Sequence, residues 1–147
     1  MTEPLAWKGI RWLSANAWAY PALEVAHIAG IALMLGSLVL VELRVWGYGR
    51  ELPPAALARA GLGLSLGGFA LIVCSGLLMF AAHPGEMLAN RAFVVKMVLV
   101  SLGGANAALF HTRGSMGRAD AVARGQTVLS LGLWLAVIIC GRWIAYL

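Results

Sequence analysis

Residues 21–45 read PALEVAHIAGIALMLGSLVLVELRV, and this stretch decides the fold. A bilayer-spanning helix takes roughly 20 apolar residues, and the run is long enough to supply them. A cleaved signal peptide is the rival reading so near the start, but the apolar run is too long for the core of one. The run also closes on Glu42, Leu43 and Arg44, the kind of charged edge that marks a membrane boundary.

Three further apolar runs follow at 56–82, 92–111 and 127–146. Pro53-Pro54 separates the first two spans, His83-Pro84-Gly85 ends the second, and the turn at 113–117 separates the last two. Short breaks make sequential helices antiparallel neighbours. The expected fold is an all-α integral membrane protein, a four-transmembrane-helix bundle running up-down-up-down as one domain over 1–147. Residues 3–16 (EPLAWKGIRWLSAN) mix Trp7, Ile10, Trp12 and Leu13 with Glu3, Lys8 and Arg11. They are too polar to span, and read as a short amphipathic helix lying in the interface.

Composition agrees. Of 147 residues 61% are hydrophobic and 12% charged, and the mean hydropathy of +0.85 is far from that of a soluble domain. The net charge of +5 does not point to nucleic acid, because the cations stand singly at the ends of apolar runs as membrane-edge anchors. The lipid bilayer is the expected partner. Arg44, Arg50, Arg59, Arg113, Arg118 and Arg124 on one side outweigh Lys8, Arg11, Arg91, Lys96 and Arg142 on the other. The positive-inside rule then predicts both termini outside, with the loops after the first and third spans in the cytoplasm. Cys74 and Cys140 lie within apolar runs, and no CxxC, P-loop, GxSxG or HExxH occurs. Three histidines and six acids leave little for hydrolysis; whether the chain is an enzyme stays open.

The second span carries Gly61, Gly63, Gly67, Gly68 and Gly76, and Gly63 with Gly67 forms a GxxxG. Small residues let membrane helices approach closely, within the chain or in a homo-oligomer.

Ionisable residues at membrane depth are costly and mark function. With alternating helix directions, Glu24, His27, His83, Lys96 and Arg142 all fall at the outer side. Glu24 and His27, three apart, share a helix face. One reading pairs Glu24 with Lys96 or Arg142 to hold the helices in register. The other is a haem b site, which asks for two imidazoles from facing helices, a flat slot and cations for the propionates. His27 and His83 would ligate, the glycines of the second span would form the slot, and Arg91, Lys96 and Arg142 would hold the propionates. His111 lies at the opposite side near Glu42, Arg44 and Asn106, as a ligand of a second cofactor or as a histidine bonded to Glu42. Copper competes: Met79, His83 and Met87 are spaced by four, and thioether with imidazole suits Cu(I).

Glu24-Val25-Ala26-His27 running into Gly36, then 41–44 (VELR), Ser75-Gly76, 90–96 (NRAFVVK) and 141–146 (GRWIAY) resemble an uncharacterised bacterial family of small four-helix inner-membrane proteins. More distantly, the early histidine and the Asn-Arg run leading to a lysine look like the membrane domain of CopD copper-resistance proteins and like HemJ, the haem-associated protoporphyrinogen oxidase. That likeness implies His27 as a metal or haem ligand and Lys96 as a functional cation, and draws in Asn106 and His111. The expected function is therefore haem b binding with an electron-transfer or haem-related redox role, served by a redox partner or quinone. Copper transport or sensing, and a purely structural membrane protein, are the alternatives.

Overall fold

The computed structural model describes residues 10–146. The stretch 3–9 of the interfacial helix lies outside the described residues. Among the described residues the chain is helical, with the order α1 (Arg11–Ala15), α2 (Ala19–Val45), α3 (Pro54–Ala82), α4 (Pro84–Ala89), α5 (Arg91–Thr112), α6 (Ser115–Arg118) and α7 (Ala121–Trp143). Helices α2, α3, α5 and α7 are each long and apolar enough to cross a membrane. The shortest, α5 with 22 residues, spans about 33 Å, enough for a hydrocarbon core of about 30 Å.

Their outer faces carry exposed large apolar residues on every side, among them Val25, Leu40, Leu64, Leu77, Val98, Leu102, Val128 and Ile139. The interior is small and polar by comparison, with Ser37, Ser75, Asn106, Thr127 and Ser130 all buried. An apolar exterior around a hydroxyl-rich, closely packed interior is how a chain packs when lipid is its solvent. This is a multi-pass membrane protein.

The bundle is two tight hairpins, not four evenly spaced helices. α2 packs on α3, α5 packs on α7, and the hairpins join where α2 meets α7. α3 and α5, consecutive long helices, make no extended contact. The short breaks therefore do not make every sequential pair a packed pair, and one side of the bundle is left as a seam between α3 and α5.

Glycine explains the α2–α3 contact, though not through the GxxxG of the sequence reading. A Cβ on Gly68 would stand 2.7 Å from the Gly30 carbonyl oxygen and 2.7 Å from the Met34 amide nitrogen; one on Gly30 would stand 2.8 Å from the Gly68 oxygen. Gly61 is similarly closed by Val41 at 2.8 Å. Gly63 and Gly67 have open space where a Cβ would go. The crossing is made by Gly30 against Gly68.

The ends are tied by polar caps. Asn90 accepts from the Ala92 and Phe93 amides at 2.9 and 3.4 Å to start α5, and its Nδ2 donates to the Ile144 carbonyl at 3.0 Å. Asp120 accepts from the Ala123 amide at 2.9 Å to start α7, six residues before the 127 expected from hydropathy. The breaks at 84–89 and 115–118 are short helices, the second flanked by Gly114 and Ala119 at positive φ. α1 is held to the end of α3, with the Ile10 amide donating to the Ala81 carbonyl at 2.8 Å, and Leu13 is buried.

Candidate functional site

Two polar layers lie inside the bundle. The first is centred on His27. Its ring, half-buried on α2, meets Ser75 of α3, with Nδ1 to Oγ at 2.9 Å. The serine hydroxyl has one proton, and the Leu71 carbonyl takes it at 2.6 Å. Ser75 can then only accept from His27, so the proton sits on Nδ1 and, in the neutral ring, Nε2 carries the lone pair. Gly76 makes room beside the ring: a Cβ there would stand 3.4 Å from His27 Cε1. Lys96 of α5 is within Coulombic reach of the same imidazole, and its Nζ lies over Gly141 of α7, 3.5 Å from where a Cβ would be. All four long helices thus contribute to one level, and His27 and Lys96 are the two predicted site residues it brings together.

The others stand apart. His83 lies edge-on to Tyr20, with ring centroids 6.0 Å apart, and its Nδ1 is 3.7 Å from Glu86. Tyr20 precedes His27 by seven residues, so His83 is offset from His27 by about 10 Å along α2. The two imidazoles do not face each other across one slot. Glu24 is exposed, and neither of the ion pairs among the described residues joins it to Lys96 or Arg142. Arg142 is exposed, donates to the Tyr146 hydroxyl at 2.6 Å and lies over that ring. Arg91 is exposed in the first turn of α5. Met79 and Met87 sit on α3 and α4, with the non-helical backbone of His83 between them (φ −138°, ψ 58°). Among the described residues no group of three or more His, Cys, Asp or Glu side chains is placed to hold a metal.

No family model, curated protein or solved structure matches this chain.

The second layer, at the opposite end, was legible only in part. Glu42 is buried, its carboxyl lies against the Ser130 hydroxyl, and its Oε1 has no hydrogen-bond partner. Trp134, one turn beyond Ser130 on α7, is buried too, with its Nε1 unpartnered. Both line a cavity of about 310 Å³ that also reaches Ser37, Asn106 and His111. His111 is exposed at the rim, edge-on to Phe110 at 5.7 Å, and makes no hydrogen bond to Glu42. Asn106 is spent on structure: its Nδ2 donates to the Gln126 carbonyl at 3.0 Å, linking α5 to α7.

A haem can be tested against this arrangement. The ligand chemistry fits, because His27 presents a fixed, unprotonated Nε2 beside a cation. The slot between α2 and α3 does not, because Gly30 and Gly68 are in backbone contact there. The α3–α5 seam is the side of the bundle where the long helices make no extended contact, and at the His27 end Phe80 of α3 and Phe93 of α5 stack across it with ring centroids 5.7 Å apart.

Proposed function

We propose that this chain is a haem b-binding protein of the bacterial inner membrane, with an electron-transfer or haem-related redox role and His27 as the iron ligand. The observation that carries the reading is the relay Leu71 carbonyl–Ser75 hydroxyl–His27 Nδ1. Metal-ligating histidines have the second ring nitrogen tied in this way, which fixes the tautomer and aims the other nitrogen. Lys96, at the same level on α5, supplies the cation a propionate needs. A flat macrocycle would enter through the α3–α5 seam by parting the Phe80–Phe93 stack. His83 takes no part as the opposing ligand.

Bound haem would supply a one-electron couple, and His27 would set its potential through the basicity that Ser75 maintains. A reduced-minus-oxidised spectrum of protein purified from haem-replete cells tests the reading. A Soret band with split α and β bands is expected; a colourless preparation overturns it.

A further inference from the structure

At the far end of the bundle from His27, two guanidinium groups are held on one turn without an acid. Trp46 follows the last residue of α2, and its Nε1 donates to the Thr127 hydroxyl of α7 at 3.0 Å. The Thr127 proton goes to the Arg124 carbonyl at 2.8 Å, so the indole is tied to the first turn of α7. The Arg124 guanidinium lies over that ring, 5.7 Å from its centroid, a contact that consumes none of its five N–H donors. Arg50 folds back on the next residue: a Cβ on Gly47 would stand 3.0 Å from its Nη2. Both arginines are exposed, and neither is in an ion pair among the described residues. Asp120, the acid nearest to Arg124 in sequence, is taken by Arg113.

Cations at a helix C-terminus are favourable in themselves, so the charges alone do not name a ligand. The surface beside them does. Val128, Leu131 and Leu135 follow Arg124 by four, seven and eleven residues, which puts them on its face of α7, and all three are exposed. Eleven residues of helix rise about 16 Å, roughly half of a hydrocarbon core of about 30 Å. An apolar ridge one leaflet deep therefore runs from the Arg124 guanidinium toward the bilayer centre. A soluble anion would use only the head of this feature; an anion carrying an acyl chain uses all of it.

We infer that an anionic phospholipid of the surrounding leaflet docks on this corner of the bundle, with its phosphate on the Arg124 donors and one acyl chain along Val128, Leu131 and Leu135. Arg50, folded on the residue after Trp46, favours a lipid of net negative charge over a zwitterionic one without touching it, since charges act over a Debye length of about 8 Å at physiological salt. The dock is separate from His27 and does not rest on haem binding.

The full chain in neutral detergent, titrated with dioleoyl-phosphatidylglycerol, dioleoyl-phosphatidylcholine or inorganic phosphate while its thermal-unfolding midpoint is followed, tests this. A saturable rise is expected with phosphatidylglycerol, because a ligand of the folded state stabilises it. Phosphatidylcholine should need a concentration roughly fivefold higher or more, and inorganic phosphate should give no saturable rise. Arg124→Gln should weaken the apparent affinity for phosphatidylglycerol roughly fivefold, the effect of one arginine at an anionic surface. Arg59→Gln should leave it unchanged: Arg59 is exposed at the same end, but about 200° around α3 from Gly61, which faces Val41 of α2. If Arg124→Gln does not fold, Arg50→Gln decides, because it leaves the Thr127–Trp46 tie intact and should erase most of the preference for phosphatidylglycerol. Equal affinity for the two lipids, a matching response to inorganic phosphate, a loss in Arg59→Gln as large as in Arg124→Gln, or an undiminished preference in Arg50→Gln would each overturn the proposal.

Discussion

The Ser75 hydroxyl accepts from His27 Nδ1 at 2.9 Å because its own proton is taken by the Leu71 carbonyl at 2.6 Å. This fixes which imidazole nitrogen is free, on a side chain that packing alone would leave to either tautomer. Ser75→Ala removes the acceptor and strands a half-buried N–H. The expected result is a loss of about 1 kcal/mol in stability and about 10- to 100-fold weaker cofactor binding, read by thermal unfolding and by haemin titration. Unchanged affinity would mean that the relay does not prepare the ligand.

The Gly30–Gly68 crossing separates packing glycines from permissive ones. Gly68→Ala places a methyl 2.7 Å from backbone atoms of α2, so the helices must part, at about 1–3 kcal/mol. Gly63→Ala and Gly67→Ala meet nothing and should be neutral or stabilising by up to about 1 kcal/mol through helix propensity. Unfolding in mixed micelles ranks the three; Gly63→Ala as damaging as Gly68→Ala would contradict the crossing.

Asn90 does two things at once, capping α5 and holding the last turn of the chain through Ile144. Asn90→Ala should cost about 1–2 kcal/mol. Asn90→Asp keeps the acceptor for the Ala92 amide and loses the donor to Ile144, so it should fall between the wild type and alanine in the same unfolding measurement.

At the opposite end Arg113 pairs with Asp120, Nη2 to Oδ2 at 2.6 Å, in the connection outside the spans. Hydrogen bonds from Arg113 and from the Ala123 amide hold the Asp120 carboxyl at a pKa of about 2, below its usual 3.8. A carboxyl whose folded value is depressed stabilises above its unfolded pKa and loses that contribution as pH falls through the folded value. Amide-exchange protection in the first turn of α7, corrected for intrinsic rates, should therefore be flat above pH ~4 and decline between about pH 4 and 2. In Asp120→Ala it should be low and without that transition.

The spans were legible because hydropathy is the signal membrane insertion itself selects. The predicted 21–45 and 56–82 lie within two residues of α2 and α3. The start of α7 was missed because 121–126 (AVARGQ) is too polar to score as span, although Asp120 stands where an N-cap should. The open α3–α5 seam was not legible: short connections constrain which helices are sequential neighbours, not how closely they pack. The depth argument placed His27 and Lys96 together, but it put His83 level with them, because it grouped every residue near the outer end as one layer, although His27 stands six residues inside its span and His83 one past the end of the next, about 10 Å apart by helix rise alone. Glu42 was seen as a membrane-edge charge and as a partner for His111. That it is buried against Ser130, one turn from Trp134, depends on the approach of α2 to α7, which no local pattern encodes.

The most direct test of the central claim is the haem content of His27→Ala beside the wild type, both purified from haem-replete cells and assayed as the pyridine haemochrome. Haem in the wild type and its loss in His27→Ala, with helical content unchanged by circular dichroism, is the expected result. Equal haem in the two proteins would remove His27 as the ligand, and no haem in either would remove the function proposed for it.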